Sequence, residues 1–429
     1  MAGRRRTTCP RPGSGVRHGL PSALALTLAL VGCGGNAVTD SARADVERML
    51  DRRAEAVLER DETAFRATEA AAEFARPELA AGAAEFANLR DLPLAAWSYD
   101  LGDFDRSGDR ATAEAALRYR VRGYDKAPVT AVRTLSLVRD DDGAWYVASD
   151  DPSEEGTMQL WEQGAIRAVR GERSLVLGVG RPEGTLREYA RLADRAVPAV
   201  TEAWGEDWAG RVVVLVPHSL EEMAGLLGAP SDGYRGIAAV TTGEVSEAKR
   251  GSPRPEAAGG SAKAPADRII VNPDAYAVLG AFGEQVVLTH ETTHVATRAH
   301  TNAATPLWLS EGYADWVGYR ATGRSASEVA PELRRAVAEG RAPAGLPEDG
   351  DFGFSGDSGR LAQAYEGGWM ACRLIADRWG EVRLNEFYRA VGAHGKRAGS
   401  VETALREVLG TTPSRFSEQW RAYVRTQLG

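Results

Sequence analysis

At 429 residues the chain is long enough for two or three domains, and an apolar share of 43% is ordinary for globular protein with a sizeable core. Its 52 basic against 60 acidic side chains leave a net charge of −8, which argues against a nucleic-acid partner or attachment to anionic lipid through surface charge.

The chain opens with Arg4, Arg5, Arg6, Arg11 and Arg17 ahead of the apolar run Leu20 to Val31. That run is too short to span a bilayer as a helix, so residues 1–32 read as an export signal. Leu30, Val31, Gly32 and Cys33 resemble a bacterial lipobox, which implies cleavage before Cys33 and acylation of that cysteine. An ordinary secretory signal with a small-residue cleavage site is the alternative. Removing residues 1–32 takes away five Arg and no acid, leaving 47 basic against 60 acidic groups, a net −13. Membrane attachment must then come from lipid, with residues 33–41 as a tether at the outer face of a bacterial cytoplasmic membrane. Cys372, within an apolar helical pattern, is expected to be a small core residue with no disulfide partner.

Apolar residues recur at helical intervals from Ala44 to Leu58, which predicts one long helix from Ala42 to about Thr68. From Leu94 the pattern changes to strand-like runs, AAWSYDL, TAEAALRYRVRGY, VTAVRTLSLVRD and AWYVASD, with Asp140 to Gly143 supplying a turn. Helices followed by a curved antiparallel sheet make an α+β domain over residues 42–150, which resembles the NTF2-like cone. On fold analogy alone that unit reads as a binding or spacing module.

Asp150 to Gly156 reads as a linker to a second domain over residues 157–429. Ser174 to Val179 and Arg211 to Val216 are predicted strands flanking a helix from Gly184 to Trp204. Ser219 and Glu222 are spaced as a capping box that starts another helix, with His218 a surface residue beside it. GIAAVTTG, Gly236 to Gly243, and RIIVN, Arg268 to Asn272, are two further strands, separated by the polar, Gly- and Pro-rich insertion Glu244 to Asp267.

The stretch His290 to His300, HETTHVATRAH, carries the chemistry. On a helix from Glu284 to Thr297, His290 and His294 leave one face a turn apart, close enough to share one ion. Glu291 lies about 100° around the helix from His290, aimed at a water on that ion rather than at the ion, and is the natural general base. A catalytic zinc takes three protein ligands and keeps a fourth position open. Two residues compete to be the third. His300 has the offset of the pattern HExxHxxGxxH, but Thr297 stands where that pattern needs a Gly, and a β-branched residue resists the sharp turn. Glu311 lies in PLWLSEGYADW, Pro306 to Trp316, a second amphipathic helix that can pack across the first. Asp315 shares its face and can accept the outer ring N–H of a ligand His, so Glu311 is favoured over His300.

HETTH at 290–294, WLSEGYADW at 308–316 and AYEGGWMACRLIADRWG at 364–380 together resemble the gluzincin metallopeptidases, the group with thermolysin-like and aminopeptidase-like branches. The resemblance covers about the last 270 residues. It implies a mixed α/β lobe with the metal helix (residues 157–297), a helical lobe (298–429), one zinc ion and a peptide or protein substrate. In the aminopeptidase-like branch a Tyr followed by Glu, a variable residue and Gly stabilises the oxyanion; Tyr365, Glu366 and Gly368 fit, so Tyr365 is the expected electrophile. That branch also carries a GxMEN-type segment upstream of the metal helix. None precedes His290, so the resemblance does not extend to aminopeptidase activity. It further implies an edge strand that pairs with extended peptide, assigned to Gly236 to Thr241.

Beyond Trp316 helices are predicted over 329–341, 361–379, 382–391, 400–409 and 413–428. The expected activity is hydrolysis of peptide bonds by a zinc-bound water that Glu291 activates. The alternatives are a zinc hydrolase of another amide or ester, and a lipid-anchored scaffold that keeps the peptidase shape without turnover.

Overall fold

The computed structural model describes residues 35–70, 81–154, 156–242, 267–353 and 358–429, an α+β structure with two sheets and many helices. The export signal, Cys33 and residues 244–266 of the insertion lie outside the described residues. Among those described, no helix is long and apolar enough to cross a membrane.

Helix α1 (Gly35–Glu59) begins inside the stretch expected to be a tether and ends well before Thr68. Arg60 stops it with a left-handed φ of 61°, which a helix cannot continue through. Asp61 then caps α2 (Glu62–Arg66) by accepting the Ala64 N–H at 2.9 Å, so the long helix predicted from periodicity is two. After α3 (Ala81–Asn88) come four antiparallel strands in spatial order β1 (Leu94–Ser107), β2 (Arg110–Val121), β3 (Val129–Arg139), β4 (Trp145–Pro152). A register shift between Leu101 and Phe104 bends β1. Inward residues of the alternating strands, Ala113, Ala115 and Leu135, pack on Val46, Met49 and Leu50 of α1.

The second sheet has the order β5-β6-β7-β9-β8, built from β5 (Ile166–Arg170), β6 (Ser174–Val179), β7 (Val212–Val216), β8 (Ala239–Thr241) and β9 (Ile269–Val271). Strand β5 was not legible in the sequence, since IRAVR is short and carries two Arg. β6, β7 and β9 run parallel to one another, while β8 closes one edge antiparallel to β9. Both faces are covered, which is why these strands read as unbroken apolar runs. On one face Val176, Val214, Ile269 and Val271 pack with α4 (Glu183–Trp204) and Leu288. On the other, Leu175, Leu177, Val213 and Ile270 pack with α5 (Leu220–Leu227) and with Leu92, Trp97 and Trp161 of the first unit and its connection.

Buried ion pairs join the two units. Asp125 takes both terminal nitrogens of Arg268 at 2.8 and 2.7 Å, and Arg133 bridges Asp150 at 2.7 Å and Glu162 at 2.6 Å. A cavity of about 400 Å³ lies at this junction, lined by Tyr119, Trp161, Leu227, Ile270, Thr242 and Arg268 among others.

After α6 (Pro273–Tyr276), helix α7 (Gly280–Thr297) carries the HExxH residues and starts four residues earlier than predicted. Helix α8 (Leu307–Tyr319) starts after Pro306, its Leu307 N–H accepted by Asp349 at 2.9 Å, and packs against α7 at Gly318, where an added Cβ would lie 3.3 Å from Val286. The rest is helical: α9 (Ala326–Val329), α10 (Pro331–Ala338), α11 (Ser358–Trp379), α12 (Glu381–Gly392), α13 (Ser400–Leu409) and α14 (Pro413–Leu428). Cys372 is fully buried in their shared core with no disulfide.

Candidate metal centre

Helix α7 offers His290 and His294 from one face, as the spacing of four requires, and the crossing of α8 brings Glu311 to them. The two Nε2 atoms are 3.0 Å apart, and Glu311 Oε2 lies 3.3 Å from His290 Nε2 and 3.6 Å from His294 Nε2. Three donors around a tetrahedral zinc, at bonds of about 2.0–2.1 Å, stand roughly 3.3 Å from one another. The donor triangle therefore has the size and the mixed imidazole and carboxylate chemistry that zinc takes. His290, His294 and Glu311 are the group among the described residues whose ligand atoms converge in this way.

Asp315, one turn after Glu311, takes the Nδ1–H of His290 at 2.8 Å. With Nδ1 committed to Asp315, Nε2 is the ring nitrogen that faces Glu311 and His294, and it would offer its lone pair to an ion once the proton there is lost. Charge reinforces the arrangement. Burial works against a charged His290, but Asp315 and Glu311 outweigh it and raise the imidazole well above its ordinary value. Burial likewise pushes the Glu311 carboxyl up, and His294 and His290 more than offset this and hold it below the usual carboxylate range. The two shifts describe one charged pair, a proton favoured on the imidazole and an ionised carboxylate beside it.

Glu291, next to His290 and 6% exposed, is held from the sheet. Thr241 of β8 donates its hydroxyl to Glu291 Oε2 at 2.7 Å and lies 3.2 Å from the Glu291 main-chain oxygen. The strand pattern places Thr241 on an edge strand but gives no sign of its contact with Glu291. The one local signal is a hydroxyl at an inward position of an otherwise apolar strand, and its partner is fifty residues away.

His300 is not brought to the cluster. Thr297 keeps a right-handed conformation (φ −83°, ψ −7°), so the chain runs on as a 3-10 turn instead of swinging back. His300 Nε2 contacts Asp207 at 3.1 Å and Arg389 at 2.7 Å, and its ring meets Trp204 edge-on. It braces the join between α4 and α12. Tyr365 is half-buried on α11, its ring edge-on to Phe352, one turn before Gly368, where α11 crosses α8 beside Glu311. Glu366 faces elsewhere: its carboxylate accepts the Leu333 and Glu332 N–H groups at 2.5 and 3.2 Å and caps α10. Gly368 is needed for packing, since a Cβ there would lie 2.7 Å from the Trp308 carbonyl oxygen.

No family model matches the chain, and no curated protein matches it. Solved structures match it in part. Native yeast LTA4 hydrolase shares 13% identity and a TM-score of 0.35, over 67% of this chain and 43% of its own. A two-domain M1 zinc metallopeptidase, solved as a mutant bound to L-arginine, shares 13% identity and a TM-score of 0.33, over 77% of this chain and 61% of its own. The chain therefore spans less than two thirds of the length of either protein.

Proposed function

We propose that the chain is a zinc-dependent peptidase in which His290, His294 and Glu311 hold the metal and Glu291 is the general base. The observation that carries this reading is the donor triangle of 3.0, 3.3 and 3.6 Å with a carboxylate at the adjoining helical position. Zinc held there supplies Lewis acidity to a scissile carbonyl and lowers the pKa of water. Glu291 takes a proton at its carboxylate as water attacks the carbonyl carbon, then gives it to the leaving amine. Asp315 keeps its proton partner on His290 Nδ1 throughout. Tyr365 is the proposed hydroxyl donor to the oxygen that gains charge, a role that rests on the motif and on its place beside the α8–α11 crossing. The proposed substrate is a peptide or protein. The proposed site of action is the outer face of a bacterial cytoplasmic membrane, reached through acylated Cys33, and this part stands on sequence alone.

The test is hydrolysis of mixed peptides by the purified chain, zinc-loaded and chelated. Chelation is expected to abolish cleavage, and Glu291→Gln to lower turnover by about 10²- to 10⁴-fold while zinc content stays the same. Cleavage unchanged by chelator would overturn the reading. A zinc-loaded chain that cleaves no peptide would favour a scaffold, or an enzyme for another amide or ester.

A further inference from the structure

Thr241 is a hydroxyl where the fold asks only for a methyl. It sits on β8, whose residues alternate between the two faces of the sheet: Val240 packs on the side of α5, while Ala239 shares the opposite core with Val214, Ile269 and Val271. By that alternation Thr241 faces α7 as well. Valine, equal in shape and common in strands, would fill this position without the cost of burying a hydroxyl. Thr241 is 2% exposed, so its hydroxyl must be partnered, and it has one proton to give. Of the two acceptors within reach, the carboxylate at 2.7 Å is nearer than the main-chain oxygen at 3.2 Å, and a bond to an ionised acceptor is the stronger. Among the described residues no other side chain donates a hydrogen bond to that carboxylate.

We infer that Thr241 is a positioning residue for the general base, a role that rests on the hydrolytic reading of Glu291. Its hydroxyl fixes the Glu291 carboxylate through Oε2, which leaves Oε1 to handle the proton in one set direction. A Glu side chain has three rotatable bonds, and on a helix with no partner it would spread over several rotamers. The strand thereby removes conformations in which the base cannot reach the water. Among the described residues β8 pairs only with β9, at the sheet's edge, so the hold on Glu291 is transmitted from a part of the fold that is not in the metal helix at all.

The test compares Thr241→Val, which keeps the shape and removes the donor, with Thr241→Ser, which keeps the donor. For Thr241→Val the expected result is a fall in kcat of about 10- to 100-fold with KM changed less than about 2-fold, the pattern of a misaligned catalytic group. Zinc affinity, read by chelator competition, should stay at the parent value, and Thr241→Ser should recover most of kcat. Crystal structures of the zinc-loaded parent and Thr241→Val are expected to show Glu291 in one rotamer in the parent and in several in the variant. Parent-level kcat in Thr241→Val, or a Glu291 carboxylate that holds its single orientation without the hydroxyl, would overturn the proposal. If the parent hydrolyses nothing, the hydrolytic reading falls, and the two crystal structures still decide whether Thr241 orients Glu291.

Discussion

Replacing Gly312 by Ala should damage the metal site from the outside. Gly312 follows Glu311 on α8, where the helix meets α11 backbone to backbone. A Cβ at this position would lie 2.3 Å from the carbonyl carbon and oxygen of Gly368 and 2.9 Å from its Cα. Carbon atoms settle at about 3.5 Å or more, so the helices must part by roughly 1.2 Å, and no flexible side chain is there to give way. Overpacking of this kind costs about 1–3 kcal/mol, and a backbone collision belongs near the top of that range. Alanine returns about 1 kcal/mol through its better helix propensity, leaving a net loss of about 2 kcal/mol. The displacement is roughly a third of the donor triangle's sides of 3.0, 3.3 and 3.6 Å, whereas a site of this kind tolerates about 0.5 Å. Zinc affinity should therefore fall by about 10- to 100-fold, comparable with the loss of a supporting residue. Urea unfolding of the metal-free chain reads the first quantity and chelator competition the second. A Gly312→Ala chain with the parent's urea midpoint and zinc affinity would refute both the close crossing and its link to Glu311.

Two further perturbations separate the residues around the metal. Asp315→Asn should weaken zinc binding by about 10- to 100-fold by loosening the His290 tautomer, while His300→Ala should leave the bound zinc in place and lower the urea midpoint, because His300 braces Asp207 and Arg389; zinc loss in His300→Ala alone would reverse the ligand assignment. Glu366 supplies a pH effect. Burial raises its carboxyl to about 7 against the opposing N–H bonds from Leu333 and Glu332. Between the ordinary 4.5 and about 7 the folded chain holds a proton that the unfolded chain has released, so this group's contribution to stability falls as pH rises through that window. Glu366→Gln, which keeps an acceptor for α10, should flatten that fall in urea midpoints taken across the window; an unchanged slope would count against it.

Much of the site was legible because the information is local. His290 and His294 share a face by helical period, Glu291 is set by its place between them, and Asp315 follows Glu311 by one turn. Caps marked several helix starts for the same reason: Ser219 accepts the Glu222 N–H, and Thr412 accepts the Arg415 N–H. Periodicity alone misled at Arg60, where the helical pattern ran on through a residue whose backbone does not, and it missed the short strand β5.

By itself, then, the sequence determined most of the helices and strands, and the residue types a zinc ion requires. The sequence already favoured Glu311 over His300, and the packing of the helices brings Glu311 to the pair; the bond from Thr241 to Glu291, the Gly312–Gly368 contact and the Asp125–Arg268 pair belonged to the tertiary structure alone. The physical reason is one of range. Periodicity and capping are written within a turn or two of chain, whereas these contacts join residues tens to more than a hundred positions apart, and which of them meet is set by how whole helices and sheet edges pack.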